Sequence, residues 1–284
     1  MANELPSMDS WFCDVHTHLT HERFRDDQHQ VIARAIEAGL GAIVCNGLNP
    51  ASNREILRLA RAIPQVKPAL GIYPTDAVND MLPDDYPYRV DRFDTRSEIE
   101  FIRSCAVKKQ IIAIGECGLD GYLVGEETFA AQEKVFEELI ALAIEHDLPV
   151  IVHSRKREVR CAEILSSLGA KKVDFHCFGG KTKHAQKWAE DNGWYFSIPA
   201  NARVSESFRK MLSSLPADRI LTETDAPYMG PVRGERNEPA NVVGTVAFLA
   251  ELRGWDTADA KKTVWGNYLR LFGEFDSGNS TATS

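Results

Sequence analysis

The sequence predicts an α/β protein built as a single-domain (β/α)8 TIM barrel, with a doubly wound open sheet as the alternative. Three observations lead there. Short apolar runs and amphipathic segments alternate along nearly the whole chain. The length of 284 residues suits one such barrel, which typically takes about 250. Polar residues of metal-ligating type recur where the apolar runs end, and that is the end of a barrel strand that carries chemistry.

The elements follow in order. Residues 11–15 read as a first strand, 28–38 as a helix closed by Gly39, and 42–45 as a second strand. A helix near 51–62 leads to a third strand at 66–71. Residues 73–95 lack periodicity and carry three prolines and several aspartates, so they are expected to form a long loop. A helix at 97–107 precedes strand four at 111–115, and 127–145 is the longest amphipathic helix. Strand five at 149–152, a helix at 159–168, strand six at 173–175 and a helix at 184–192 continue the pattern. Strand seven at 194–198, a helix at 205–215 and strand eight at 219–222 complete the eight, and helices at 240–252 and 257–272 follow. The barrel is expected over 11–274, with an N-terminal extension at 1–10 and a Ser/Thr/Gly-rich disordered tail at 275–284.

Hydrophobic content of 44% and charged content of 26% are ordinary for a globular protein. Residues 1–10 lack the cationic and apolar regions of a signal peptide, and no run approaches the roughly 20 apolar residues of a membrane span. A cytoplasmic protein with no membrane contact and no obligate protein partner is expected. The six cysteines have no C-x-x-C spacing and read as reduced, mostly buried thiols. The net charge of −8 is uneven: −11 over residues 1–150 and +3 over 151–284.

His16-Thr17-His18 sits where the first apolar run ends, and imidazoles at i and i+2 share one face of a strand. Glu116 follows strand four, His153 strand five, His176 strand six and Asp225 strand eight. In a closed barrel these strand ends converge. Four imidazoles and two carboxylates, one of them shared, suit a pair of divalent cations. Singly, each reads as a hydrogen-bonded structural residue; six together would leave costly unpaired buried charges if they had no metal. Alternation places Asp14, two before His16, and Glu223, two before Asp225, beneath the site, where they could orient ligands or water. Cys117 and Cys177 each follow a candidate ligand, and alternation turns them away as packing residues. His21, His29, His146 and His184 read as structural or solvent-facing.

The segments Asp14-Val15-His16-Thr17-His18-Leu19, Gly115-Glu116-Cys117-Gly118-Leu119-Asp120, Val152-His153-Ser154-Arg155, Phe175-His176-Cys177-Phe178-Gly179-Gly180, Glu223-Thr224-Asp225-Ala226-Pro227-Tyr228 and Arg236-Asn237-Glu238-Pro239 resemble the TatD family of metal-dependent hydrolases, amidohydrolase-type barrels. The match runs from about Phe12 to Phe272 in consistent order. It implies a binuclear or labile divalent-metal centre and, for many members, deoxyribonuclease activity, often 3′ to 5′ exonucleolytic. By the family's pattern His16, His18 and Asp225 hold one metal and His153 and His176 the other, bridged by Glu116. Two departures stand out. Gly71-Ile72-Tyr73-Pro74 replaces the usual Gly-x-His-Pro, and Gly121-Tyr122-Leu123-Val124 departs from the usual aromatic pair. A phenol at Tyr73 can donate a hydrogen bond to phosphate but is a poor proton shuttle near neutral pH.

The expected chemistry is hydrolysis by metal-activated water, with Asp225 as general base and Glu116 as its catalytic partner. The cofactors are two divalent ions, Zn, Mn or Mg, and the substrate is DNA, as single strands or 3′ ends. Arg155, Lys156, Lys181, Lys183, Arg233 and Arg236 follow strands five, six and eight and should ring the metal mouth. Arg155, Lys181, Arg233 and Arg236, with Tyr73, are the candidate substrate contacts. An ester or amide hydrolase acting on a small molecule or aminoacyl ester is the alternative. A non-catalytic, metal-stabilised protein is disfavoured, because a structural zinc site is usually closed and tetrahedral.

Overall fold

The computed structural model describes residues 11–275. The N-terminal extension and all but the first residue of the expected disordered tail lie outside them. The strands are β1 (Phe12–Thr17), β2 (Leu40–Asn46), β3 (Val66–Leu70), β4 (Ala113–Gly118), β5 (Val150–His153), β6 (Val173–His176), β7 (Tyr195–Ile198) and β8 (Ile220–Thr222). The helices are α1 (Gln28–Glu37), α2 (Pro50–Ala62), α3 (Pro74–Ala77), α4 (Thr95–Val107), α5 (Phe129–Glu145), α6 (Glu158–Leu168), α7 (Thr182–Asn192), α8 (Glu206–Ser214), α9 (Val242–Arg253) and α10 (Thr257–Phe272). The strands form one eight-stranded sheet in sequence order, the (β/α)8 arrangement. Among the described residues no helix is long and apolar enough to cross a membrane.

The described residues pack as two compact units, 11–44 with 180–270, and 45–179 with 271–275. In the first unit β7 and β8 pair in parallel, with Phe196 opposite Ile220. The first strand there meets the last: Thr17 bridges to Ala226, and the Asp225 amide donates to the His16 carbonyl at 2.8 Å. That pairing of β1 with the segment after β8 is the one a barrel requires. Val246, Ala250 and Ala260 of α9 and α10 form a buried cluster, with Phe12 and Trp255 against it.

In the second unit β3, β4, β5 and β6 pair in parallel. Ile56, Leu59 and Ala60 on α2 and Val135, Phe136, Leu139 and Ile140 on α5 are buried, each larger side chain contributing about 1.5–3 kcal/mol by leaving water. Helix α2 starts with a capping box: Asn49 Oδ1 accepts the Ser52 amide and Ser52 Oγ accepts the Asn49 amide, both at 3.1 Å. From the same helix, buried Asn53 donates to the Gly71 carbonyl at 2.9 Å and to Glu98 of α4 at 2.7 Å. Gly71 has no side chain for a steric reason: a Cβ there would stand 2.3 Å from the Glu116 carbonyl oxygen. The end of β3 is thus pressed against the backbone that carries Glu116.

Several boundaries move. Strand four was expected at 111–115 but forms at Ala113–Gly118. Ile111 and Ile112 are buried without entering it, because an apolar run reports burial rather than strand pairing. Glu116 therefore lies within the strand, as does His16 in β1. The loop expected over 73–95 contains α3, a four-residue turn of helix with Pro74 at its start, too short to show periodicity. The long helix begins at Phe129, after a 3-10 turn at Glu126–Thr128.

Candidate metal centre

Two groups of donors are assembled, one in each unit. In the first, β1 presents His16 and the next residue but one presents His18, on the same face as the i, i+2 spacing requires. Their Nε2 atoms are 3.2 Å apart, and the rings meet edge to face with centroids at 4.9 Å. Asp225, in the left-handed region at φ 54°, places Oδ1 3.3 Å from His18 Nε2 and 3.7 Å from His16 Nε2. Both imidazoles are buried, while the Asp225 side chain keeps 14% of its surface open.

In the second group Glu116, 2% exposed, stands between two imidazoles. Its Oε1 lies 2.9 Å from His153 Nδ1 and 2.9 Å from His176 Nε2, and those two nitrogens are 3.5 Å apart. These donors could hold a metal ion together. With bonds near 2.1 Å, tetrahedral or octahedral ligands sit about 3.0–3.4 Å from one another. The two groups, at 3.2–3.7 Å and 2.9–3.5 Å, lie within about 0.3 Å of that spacing and offer the imidazole and carboxylate that Zn, Mn and similar ions prefer, so the residues present fit divalent cations.

The supporting residues are equally specific. Asp14 is wholly buried; its carboxylate accepts the His16 amide at 3.2 Å, the Thr224 amide at 3.0 Å and the Thr224 hydroxyl at 2.6 Å. Burial pushes its pKa well above the usual range, and the Thr224 hydroxyl bond opposes that only in part. Glu223 accepts the Ser197 hydroxyl at 2.5 Å. Asn237 donates to the Thr224 and Tyr228 carbonyls at 2.8 and 2.7 Å, bracing the turn that carries Asp225.

Sequence reasoning missed Asp120. Its Oδ2 is 2.9 Å from His153 Nε2, on the ring nitrogen that does not face Glu116. A proton on Nε2 would then be donated to Asp120, leaving the Nδ1 lone pair toward Glu116 and His176, an arrangement that orients a histidine ligand. Burial pulls the His153 pKa down, but the bonds to Asp120 and Glu116 outweigh it and leave it raised. Burial likewise pushes Asp120 up, and its bond to His153 brings it below the usual range. Residues 116, 118 and 120 share one parity, so alternation could have nominated Asp120.

Tyr73 precedes α3, half-buried, with its hydroxyl 3.5 Å from His153 Nε2 and its ring 4.8 Å from the imidazole. Arg155, Lys181 and Arg233 are exposed. Arg236 is engaged within the fold: its guanidinium donates to both Asp27 oxygens at 2.7 and 2.6 Å and to the Arg23 carbonyl at 2.7 Å. Cys117 is buried, its Sγ 4.0 Å from the Ile151 carbonyl, and burial pushes its thiol pKa well up. His21 accepts the Arg23 amide at 3.1 Å, and its Nε2 lies 2.9 Å from the Tyr228 hydroxyl. His146 caps the end of α5, and the His184 ring lies 5.5 Å from that of Trp188. A concave region of about 330 Å³ lies in the loop before α4, lined by Asn79, Tyr86, Tyr88, Arg89 and Arg92 among others, and by none of the candidate ligands.

Comparison with known proteins identifies the family. The family model for TatD related DNase matches residues 13–273. The chain is 30% identical over 264 residues to the uncharacterized metal-dependent hydrolase YabD of Bacillus subtilis, covering 91% of this chain and 98% of that protein. It is 30% identical over 271 residues to the 3′-5′ ssDNA/RNA exonuclease TatD of Citrobacter rodentium, covering 92% and 97%. The crystal structure of YjjV, a TatD homolog from Escherichia coli, superposes with a TM-score of 0.80 at 25% identity, covering 94% of this chain and all of that one. With the family model matched over residues 13–273 and relatives 30% identical over nearly their whole length, the chain belongs to the TatD family of metal-dependent hydrolases.

Proposed function

We propose that this chain is a deoxyribonuclease that removes nucleotides from the 3′ ends of single-stranded DNA with two divalent cations. His16, His18 and Asp225 would hold one cation, and Glu116, His153 and His176 the other. The observation that carries the reading is the Glu116 oxygen at 2.9 Å from both His153 and His176, a buried carboxylate between two buried imidazoles that a cation would satisfy. The relative named as a 3′-5′ ssDNA/RNA exonuclease supports the substrate and polarity.

Divalent cations held by these donors would supply Lewis acidity, which would acidify water and neutralise phosphodiester charge. Asp225 takes the proton of the attacking water on its carboxylate, which its partial exposure suits it to reach. Asp14 fixes the backbone of His16, and Glu223 is held beneath by Ser197. Tyr73 can donate its hydroxyl to a phosphate oxygen. Arg155, Lys181 and Arg233 are the exposed cations available for the backbone of the strand. Arg236, occupied by Asp27, acts on substrate only by holding its own loop. A cytoplasmic setting is part of the proposal and is supported by six cysteines that form no disulfide.

The test is a panel of end-labelled single-stranded DNA, RNA and nitrophenyl esters, with Mg, Mn or Zn, on protein of measured metal content. The expected result is stepwise loss of nucleotides from the 3′ end, abolished by chelator. Ester hydrolysis without DNA cleavage would overturn the reading in favour of a small-molecule hydrolase.

A further inference from the structure

We propose that Tyr122 and Arg155 form a stacking platform for an unpaired nucleobase of the substrate, an inference that rests on the nuclease reading above. The Arg155 guanidinium carbon lies 3.7 Å from the centre of the Tyr122 ring. Tyr122 is nevertheless 60% exposed, so the cation covers one face of the phenol and the other is open to solvent. An aromatic face of this kind stacks on any base, because every base has a π-face, and single-strand binders use it without reading sequence. A guanidinium behind the ring keeps its in-plane N–H groups available to a phosphate on the same strand.

Three features distinguish the pair from an incidental surface contact. The turn is held by backbone bonds: the Gly121 amide donates to the Arg155 carbonyl at 2.9 Å, and the Tyr122 and Leu123 amides both donate to Asp120 Oδ1, at 2.7 and 2.6 Å. The Tyr86 hydroxyl adds a bond to the Leu123 carbonyl at 3.4 Å. Asp120 turns its second oxygen to His153 at 2.9 Å, so one carboxylate sets the Tyr122 turn in register with a candidate metal ligand. Arg155, finally, lies two residues beyond His153 at the end of β5. A base resting on Tyr122 would therefore be held at a fixed reach from the reacting phosphate, and a paired base, whose faces are already stacked, could not use the platform.

The experiment uses full-length, metal-loaded protein and six-nucleotide single strands carrying one 2-aminopurine, moved through each position. Phosphorothioate linkages keep the strand intact during the binding measurement. The expected result is quenching at one position, lost in Tyr122→Ala and kept in Tyr122→Phe. With ordinary linkages, Tyr122→Ala should raise KM about tenfold with little change in kcat. The advantage of an intact strand over one made abasic at the quenched position should collapse in that variant. Wild-type cleavage of DNA with KM and quenching unaltered in Tyr122→Ala would overturn the platform and leave the nuclease standing. A wild-type protein that neither binds nor cuts the strand would overturn both, and would place the failure in the substrate class.

Discussion

Asp120 Oδ2 stands 2.9 Å from Nε2 of His153, while Nδ1 of the same ring stands 2.9 Å from Glu116. One imidazole is thus held by carboxylates at both nitrogens, and only the Glu116 side also faces a second histidine. Asp120→Asn keeps an oxygen for the Tyr122 and Leu123 amides and removes the negative charge from His153. Metal affinity should fall about 10–100-fold, the usual effect of losing such a support. Competition with a chelating dye at fixed pH measures it; unchanged affinity would leave Asp120 with the loop alone.

The backbone at Asp225 makes a clean catalytic variant possible. Its φ of 54° is left-handed, a conformation that asparagine adopts far more readily than alanine. Asp225→Asn should therefore fold normally and retain the turn while losing the proton acceptor. At matched metal content kcat should drop by about 10²–10⁴. A rate near that of the wild type would take the general base away from this residue.

The parts readable from the sequence were those that repeat. Eight apolar runs marked eight strands, and the i, i+2 spacing of His16 and His18 placed both on one face, where their nitrogens do meet. What was not readable had no periodic trace. Ile111 and Ile112 imitate a strand because burial and pairing both select apolar residues. Arg236 looked like a phosphate contact because sequence places it near the mouth but does not show Asp27, 209 residues away, occupying its guanidinium. Asp120 was passed over because a carboxylate beyond a strand end reads as an ordinary turn residue until its partner on β5 is seen.

Gly118 tests the packing under the second donor group. Its φ is 146°, and a Cβ would meet the His153 carbonyl oxygen at 1.9 Å, a backbone atom that cannot step aside alone. Gly118→Ala should cost about 3 kcal/mol or more, the upper range of over-packing. It should also weaken metal binding, since β5 must shift. Urea unfolding and metal titration check the two effects; a variant as stable as the wild type would show that the β4–β5 contact yields.

Arg155 and Arg236 should separate under salt. Arg155→Ala should reduce the slope of log KM against log salt on DNA by about one, the loss of one phosphate contact. Arg236→Ala should lower the melting temperature, because it frees Asp27 and the Arg23 carbonyl, and should leave the salt slope alone. Equal slope changes in both would return Arg236 to the substrate.

Asp76 gives the fold a pH dependence of its own. Its side chain is buried beside Asn49, whose amide donates to Oδ1 at 3.0 Å, and burial raises its pKa from 3.8 to about 7 despite that bond. The native state therefore holds a proton that the unfolded chain has already released across this interval. Stability from this group is complete below about pH 4 and is lost as pH rises toward 7, because the unfolded chain binds fewer protons than the native one. At 1.36 kcal/mol per unit the swing is at most about 4 kcal/mol. Asp76→Asn keeps a hydrogen-bonding side chain of the same shape and cannot ionise. The difference in urea midpoint between wild type and variant, in chelator so that metal binding does not enter, should be small at pH 4.5 and should favour the variant increasingly up to pH 8. A difference that stays constant with pH would mean that Asp76 is ionised in the folded protein throughout.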